Sequence, residues 1–214
     1  MRSRCGRSTP PKCVSCSTAR ATTTTGTPPG SKPPCGPSCS RHPATMTDRG
    51  RGDTDPSIRL TPYHPSAAEH IATWARASHY SRGWLAPDTH EAQALIARWH
   101  ADPDVFPYLL NRGDRPVGYG ELWVERDDDE AELAHILVAP QQRRRGLGRR
   151  LARELVRAAR ERGLHHITLR VMPDNTPAID CYRSAGFVRE GADDERVLNT
   201  GQPHIYQWMR YRDR

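Results

Sequence analysis

The run Arg143-Arg144-Arg145-Gly146-Leu147-Gly148 sets phosphate-binding side chains beside residues that let a ligand approach the backbone. It lies where an apolar strand segment gives way to a long helical pattern, and the first amides of a helix have no acceptor inside it. A pyrophosphate fits such a place. Gly146 and Gly148 let the backbone come close to its oxygens, while Arg143, Arg144, Arg145 and Arg149 supply charge-assisted hydrogen bonds. The plain alternative is an arginine-rich helix face in water. A dinucleotide-binding turn is excluded, because only two glycines are present and the surrounding strands do not alternate with helices in regular βαβ units.

Around that run stand other residues with chemistry to offer. Glu121 and Glu132 fall on strand segments, where a carboxylate either handles a proton or simply faces water. Strict alternation sets His135 on the face opposite Glu132. Asn175 opens a short helix and suits an N-cap. Tyr182 shares a helix face with Ile179 and would pack under Gly186-Phe187. Cys181, alone on the buried side of the same helix, reads as a small core residue rather than a nucleophile.

Hydrophobic periodicity supplies the scaffold for these groups. Ile58-Arg59-Leu60-Thr61-Pro62-Tyr63 alternates apolar and polar side chains, as a first strand does. Residues 67–77 read as a helix with Ile71, Trp74 and Ala75 on one face. Asp88 followed by Glu91 is a capping-box-like start for a second helix carrying Ala92, Leu95, Ile96 and Trp99. Trp74, Trp84 and Trp99 are expected to pack together. Residues 105–110 and 117–124 flank the turn-rich Asn111-Arg112-Gly113-Asp114-Arg115-Pro116 and predict an antiparallel hairpin. A turn over 125–130 leads to a strand over 131–138 that ends in Ala139-Pro140. The helix over 142–162 carries Leu147, Leu151, Leu155 and Ala159 at four-residue intervals, pairs Arg150 with Glu154 and Arg157 with Glu161, and stops at Gly163. A strand over 165–171, a helix over 176–184, a strand from Phe187 and a last strand over 205–211 complete an α+β layout. Its sheet is mixed, with six to seven strands and flanking helices.

Composition divides the chain into an extension, residues 1–56, and one domain, residues 57–214. Up to Thr45 there is no Leu, Ile, Phe, Tyr or Trp, so this stretch cannot bury a core and is expected to be disordered. Arg2, Arg4, Arg7, Lys12, Arg20, Lys32 and Arg41 account for the whole formal excess of +7, and the rest of the chain is formally neutral. The domain is therefore not expected to bind nucleic acid. Cys13 and Cys16, with Cys35 and Cys39, approach a four-thiolate zinc spacing, but no strand pattern or aromatic residue surrounds them, and no metal is expected. The competing reading is a zinc-organised basic tail that binds nucleic acid. Met46 is the expected natural start. No run of about 18 apolar residues is present, nor a secretory stretch, so a cytoplasmic protein without a membrane span is expected.

Taken together, Arg143 to Gly148, the preceding Ile136-Leu137-Val138-Ala139-Pro140 and the later run from Asn175 through Tyr182 to Gly186-Phe187 resemble the GNAT superfamily of N-acetyltransferases. That family's pyrophosphate motif is Gln or Arg, any two residues, Gly, any residue, then Gly or Ala, and every fixed position matches. The resemblance implies a splay between the fourth and fifth strands and the use of acetyl-CoA as acyl donor. The acetyl group would pass by direct sequential transfer to a primary amine, either a small molecule or a protein N-terminus or lysine. The backbone of Ile136, Leu137 and Val138 would bind pantetheine, Arg143 through Arg149 the pyrophosphate, and Asn175 the cofactor arm. Tyr182 would protonate the leaving thiolate. Glu132 is the first candidate for general base and Glu121 the second. Residues 78–88 and 193–204 would shape the acceptor site, and a homodimer is allowed. The alternative is a catalytically silent acyl-CoA-binding sensor or interaction module.

Overall fold

The structure, a computed structural model, describes residues 55–81 and 89–213. The extension up to residue 54, with its cysteine pairs and the expected start at Met46, lies outside the described residues, as do Trp84 and Asp88. Seven strands, β1 (Ile58–Pro62), β2 (Val105–Arg112), β3 (Arg115–Glu125), β4 (Glu130–Val138), β5 (His166–Val171), β6 (Phe187–Arg189) and β7 (Gln207–Tyr211), form one mixed sheet. Their order is β1-β2-β3-β4-β5-β7-β6. The helices are α1 (Ala68–Arg76), α2 (Thr89–Trp99), α3 (Leu147–Arg160), α4 (Thr176–Ala185) and α5 (Ala192–Leu198). The first four strands run antiparallel as a meander. α3 carries the chain back across the sheet, so β5 runs parallel to β4. β7 then enters antiparallel between β5 and β6.

Alternation along the strands gives the sheet two apolar faces. On one, Leu110, Leu122, Leu133, Ile167 and Leu169 meet the Leu147-Leu151-Leu155 stripe of α3, all essentially without solvent contact. Each such leucine contributes about 2 kcal/mol by leaving water. On the other face, Leu109, Tyr119 and Leu137 pack with Ile71, Trp74 and Ala75 of α1 and Ile96 of α2; Trp99 packs against the same cluster. Along α3 an ion pair joins Arg150 to the buried Glu154 at 2.7 Å, and an exposed one joins Arg157 to Glu161 at 3.7 Å.

Three departures from the sequence expectation have an identifiable local reason. α3 begins at Leu147 rather than at 142. Residues Pro140–Gln142 make a 3-10 turn, and Arg144 (φ 64°) and Gly146 (φ 79°) then take left-handed backbone that interrupts any helix. α5 occupies a stretch to which the sequence pattern assigned no element. It is anchored by Glu195, which accepts two hydrogen bonds from the Arg189 guanidinium at 2.9 and 2.8 Å and a third from the Trp208 amide at 3.1 Å. β7 starts at Gln207 because the Asn199 side chain takes both backbone groups of Tyr206, at 2.8 and 2.9 Å. Among the described residues, no helix is long and apolar enough to cross a membrane.

Candidate active site

β4 and β5 pair only through Glu130 with His166, Ala131 with Ile167 and Glu132 with Thr168. Past these three pairs the strands splay, and the edge of β4 carrying Ile136, Leu137 and Val138 has no strand neighbour on the β5 side. The side chains of Ile136 and Val138 pack toward α3, and Leu137 is buried on the opposite face. What these residues can offer a ligand is backbone.

The chain leaves β4 through the arginine run and enters α3. Gly146 stands at the N-cap with φ 79°, a backbone that glycine adopts without strain, and brings no side-chain oxygen to the cap. The first helical bond runs from the Arg150 amide to the Gly146 carbonyl at 3.0 Å. The amides of Leu147 and Gly148, ahead of it, have no acceptor within the helix. Leu147 is fully buried, so only its backbone can meet a ligand. Arg144 and Arg145 are exposed at the surface, while the Arg143 Nε donates to the Val138 carbonyl at 3.2 Å, tying the loop to the end of β4. Gly148 does something the sequence did not suggest. A Cβ there would stand 2.8 Å from Cys181 Sγ, so this glycine permits α3 and α4 to approach each other.

α4 presents Asn175, Cys181 and Tyr182. Asn175 occupies the N-cap position, yet its side chain makes no capping hydrogen bond; its carbonyl accepts from the Ala178 and Ile179 amides instead. Just before it, the Asp174 carbonyl accepts from the Tyr80 hydroxyl at 3.0 Å, which links the connection after α1 to the β5–α4 loop. Burial pushes the Cys181 thiol up to about 11 against the opposing charge of Arg149, leaving it neutral. Burial, aided by Cys181, also raises the Tyr182 hydroxyl well above an ordinary phenol. The Tyr182 ring meets Phe187 edge-on, with centroids 6.3 Å apart.

The carboxylates occupy unlike settings. Glu132 receives the Arg170 Nε at 2.9 Å, and the Arg170 guanidinium lies over the rings of Trp123, Tyr206 and Trp208 at 5.4 to 5.6 Å. Glu121 has no solvent exposure at all. Its Oε1 accepts a short hydrogen bond from the Tyr119 hydroxyl. Its Oε2 accepts from Trp123 Nε1 at 2.6 Å and lies 3.0 Å from His135 Nδ1. His100 Nε2 lies 3.8 Å from Oε1 and 2.8 Å from the Tyr119 hydroxyl. Burial alone would push this carboxyl upward, but the charge of His135 and the hydrogen bonds of His100, His135 and Tyr119 outweigh it and hold Glu121 ionised, far below the usual carboxylate range.

The alternation argument for His135 is corrected by a β-bulge. Tyr119 faces Leu137 while Glu121 faces Ala134, so Gly120 alone opposes the pair His135 and Ile136. His135 takes a left-handed backbone, φ 48°. Its ring turns to the face shared by Glu121 and Trp123, the face on which Glu132 also lies through its register with Trp123. There it stacks on Trp99, centroids 4.3 Å apart and planes 29° apart, and meets Trp123 edge-on at 5.2 Å. His100 and Tyr119 also escaped the sequence reading. The available signal was a glutamate two residues past a tyrosine inside an otherwise buried strand. Among the described residues, no group of three or more His, Cys, Asp and Glu is arranged to hold a metal ion.

Comparison with known proteins gives this geometry a context. The model of the acetyltransferase (GNAT) family matches residues 69–187. The chain is 32% identical over 142 residues to mycothiol acetyltransferase of Corynebacterium glutamicum (strain R), a match covering 64% of this chain and 47% of that protein. It is 48% identical over 112 residues to streptothricin acetyltransferase of Streptomyces lavendulae, covering 51% of this chain and 59% of that one. The chain thus spans roughly half the length of these relatives. The solved structure of AAC(6')-Ib in complex with ribostamycin and coenzyme A is similar in fold, with a TM-score of 0.59 at 23% identity over 72% of this chain and 92% of that one.

Proposed function

The chain belongs to the acetyltransferase (GNAT) family, and we propose that it moves the acetyl group of acetyl-CoA to a primary amine by direct attack of the amine on the thioester. One juxtaposition carries this reading. The edge of β4 that lacks a strand neighbour leads straight into a left-handed loop and the open amides of the α3 N-terminus. An extended arm fits along the first, and a pyrophosphate fits the second, where the helix dipole and the amides favour negative charge. The similar AAC(6')-Ib structure holds coenzyme A and ribostamycin, which supports both the donor and an amine acceptor for this chain.

Each group then has a task. Backbone atoms of Ile136, Leu137 and Val138 bind and orient the pantetheine arm, and the amides of Leu147 and Gly148 with Arg143, Arg144, Arg145 and Arg149 bind the pyrophosphate. Asn175, its side chain not spent on capping, reaches the arm from the α4 side. Tyr182 stays protonated at neutral pH and donates to the departing thiolate. The neutral, partly buried Cys181 is a poor nucleophile, which favours one direct transfer over an acyl-enzyme.

The test is thiol release from acetyl-CoA by the full-length chain, offered ribostamycin, streptothricin, spermidine and an alanine-terminated peptide, with mass spectrometry of each amine. Acetylation of at least one of them is the expected result. Tight acetyl-CoA binding with no amine acetylated would replace the enzyme by an acyl-CoA sensor.

A further inference from the structure

Resting on the acetyl-transfer reading, we infer that His135 is the general base that takes the proton from the acceptor ammonium, and that buried Glu121 is the positioning residue that fixes its ring. Four observations converge on this pair. His135 stands three residues past the last β4–β5 pair, on the splayed part of β4, adjacent to the backbone assigned to the thioester arm. The bulge holds it in a left-handed conformation that a histidine rarely adopts, and so turns its ring out of the strand's alternation. Trp99 under the ring and Trp123 at its edge set the plane. Glu121 sits 3.0 Å from Nδ1.

The competing bases are less suited. Glu121 is fully buried and cannot touch an amine. Glu132 is already engaged by the Arg170 guanidinium at 2.9 Å, so its carboxylate is tied to a fixed cation rather than to an incoming amine. An ionised carboxylate only accepts hydrogen bonds, so the proton of a neutral His135 sits on Nδ1 and Nε2 carries the lone pair. Among the described residues, the other titratable or charged groups near the ring include Tyr119 on β3, His100 just after α2, and the Glu132–Arg170 pair, which meets it through Trp123.

The step balances. An ammonium N–H bond breaks and its proton goes to His135 Nε2, leaving an imidazolium beside the Glu121 carboxylate. The freed nitrogen lone pair forms the C–N bond to the acetyl carbon, and the C–S bond breaks with its electron pair on sulfur. Sulfur takes the Tyr182 proton, a second nitrogen proton restores Tyr182, and the proton on His135 passes to solvent.

The experiment measures kcat/KM against pH for the full-length wild type, His135→Ala and Glu121→Gln. The acceptor is whichever of ribostamycin, streptothricin, spermidine and the alanine-terminated peptide the wild type acetylates, and acetyl-CoA affinity is followed by calorimetry. His135→Ala should lose roughly 10²- to 10⁴-fold in kcat/KM, keep its acetyl-CoA affinity, lose the acidic limb of the profile, and regain activity on addition of imidazole. Glu121→Gln removes the carboxylate that lies against Nδ1 and fixes the ring, so its kcat should fall while its acetyl-CoA affinity stays, and added imidazole should not restore it. Should Glu121→Gln fail to fold, imidazole rescue of His135→Ala decides. A wild type that acetylates none of the four overturns the acetyl-transfer reading and the dyad with it. A working wild type whose His135→Ala variant keeps its rate and its acidic limb overturns the dyad alone.

Discussion

Gly148 offers a sharp test of how the arginine-glycine turn is held, because its role can be worked out from one contact. In Gly148→Ala the new Cβ would meet Cys181 Sγ at 2.8 Å, well inside the separation of about 3.5 to 4.0 Å at which non-bonded heavy atoms attract. α3 and α4 must then part, or the thiol must swing away. Overpacking of this kind costs about 1–3 kcal/mol. Against it stands the better helix propensity of alanine, worth up to about 1 kcal/mol. The net loss should be about 1–2 kcal/mol, or roughly 2–8 °C in Tm for a domain of this size. Cys181→Ala removes the obstructing sulfur. In that background, Gly148→Ala should therefore be neutral or mildly stabilising, giving a coupling between the two sites of about 1–3 kcal/mol. The four proteins of this cycle would be compared by urea unfolding, with acetyl-CoA calorimetry in parallel. If Gly148→Ala weakens the ligand by displacing the helix end, the double variant should recover affinity as well as stability. Equal destabilisation by Gly148→Ala with and without the Cys181 sulfur would refute the contact as the cause.

Three further predictions follow from other contacts. Tyr182→Phe keeps the ring that meets Phe187 and should retain fold and acetyl-CoA affinity while losing about 10²-fold in turnover; unchanged turnover with chemistry rate-limiting would reduce Tyr182 to packing. Gly146→Ala meets no atom within 4 Å, so its whole cost is the left-handed backbone, about 1–2 kcal/mol, readable as a shift in urea midpoint; no shift would mean the N-cap relaxes freely. Glu195 lies below its ordinary carboxylate value of 4.5, chiefly through the Arg189 hydrogen bonds with burial opposing. Its stabilising share is thus present above that pH and lost as pH falls through the lowered value. The Tm gap between wild type and Glu195→Gln should accordingly narrow as pH drops below about 4.5, and a gap constant with pH would remove Glu195 from the acid response.

What the sequence makes legible here is what local periodicity and local chemistry determine. Alternation in Ile58-Arg59-Leu60 and in Ile167, Leu169 and Val171, the four-residue leucine stripe of α3, and the Gly163 stop all concern neighbours along the chain. The loop that lines up Arg143, Gly146 and Gly148 was visible for the same reason. The features that escaped depend on two distant segments at once. The bulge at His135 exists only in the register of β4 against β3, and a count along β4 alone puts the ring on the wrong face. Cys181 and Gly148 belong to different helices, so their contact has no trace in either local pattern. The buried Glu121 looked like an ordinary strand carboxylate because its partners, His100 and His135, come from three separate stretches of chain with it. α5 hid behind an acidic, loop-like composition and is held by Arg189 and Trp208 from β6 and β7.

The extra residue in β4 also makes the strand intolerant of changes in length. Up to Ala134 its side chains keep one phase against β3, and from Leu137 onward they keep the other. Losing a single residue from this stretch would leave hydropathy and the arginine-glycine motif untouched. It would nonetheless either rotate His135 away from Glu121 or turn Ile136 and Val138 out of the α3 core. A substitution in β4 acts at one position, whereas a deletion acts on both halves together. For an engineer exchanging segments among relatives, the strand is therefore one indivisible part: the His135–Glu121 contact and the unpaired β4 edge at residues 136–138 must be transplanted as a unit, bulge included.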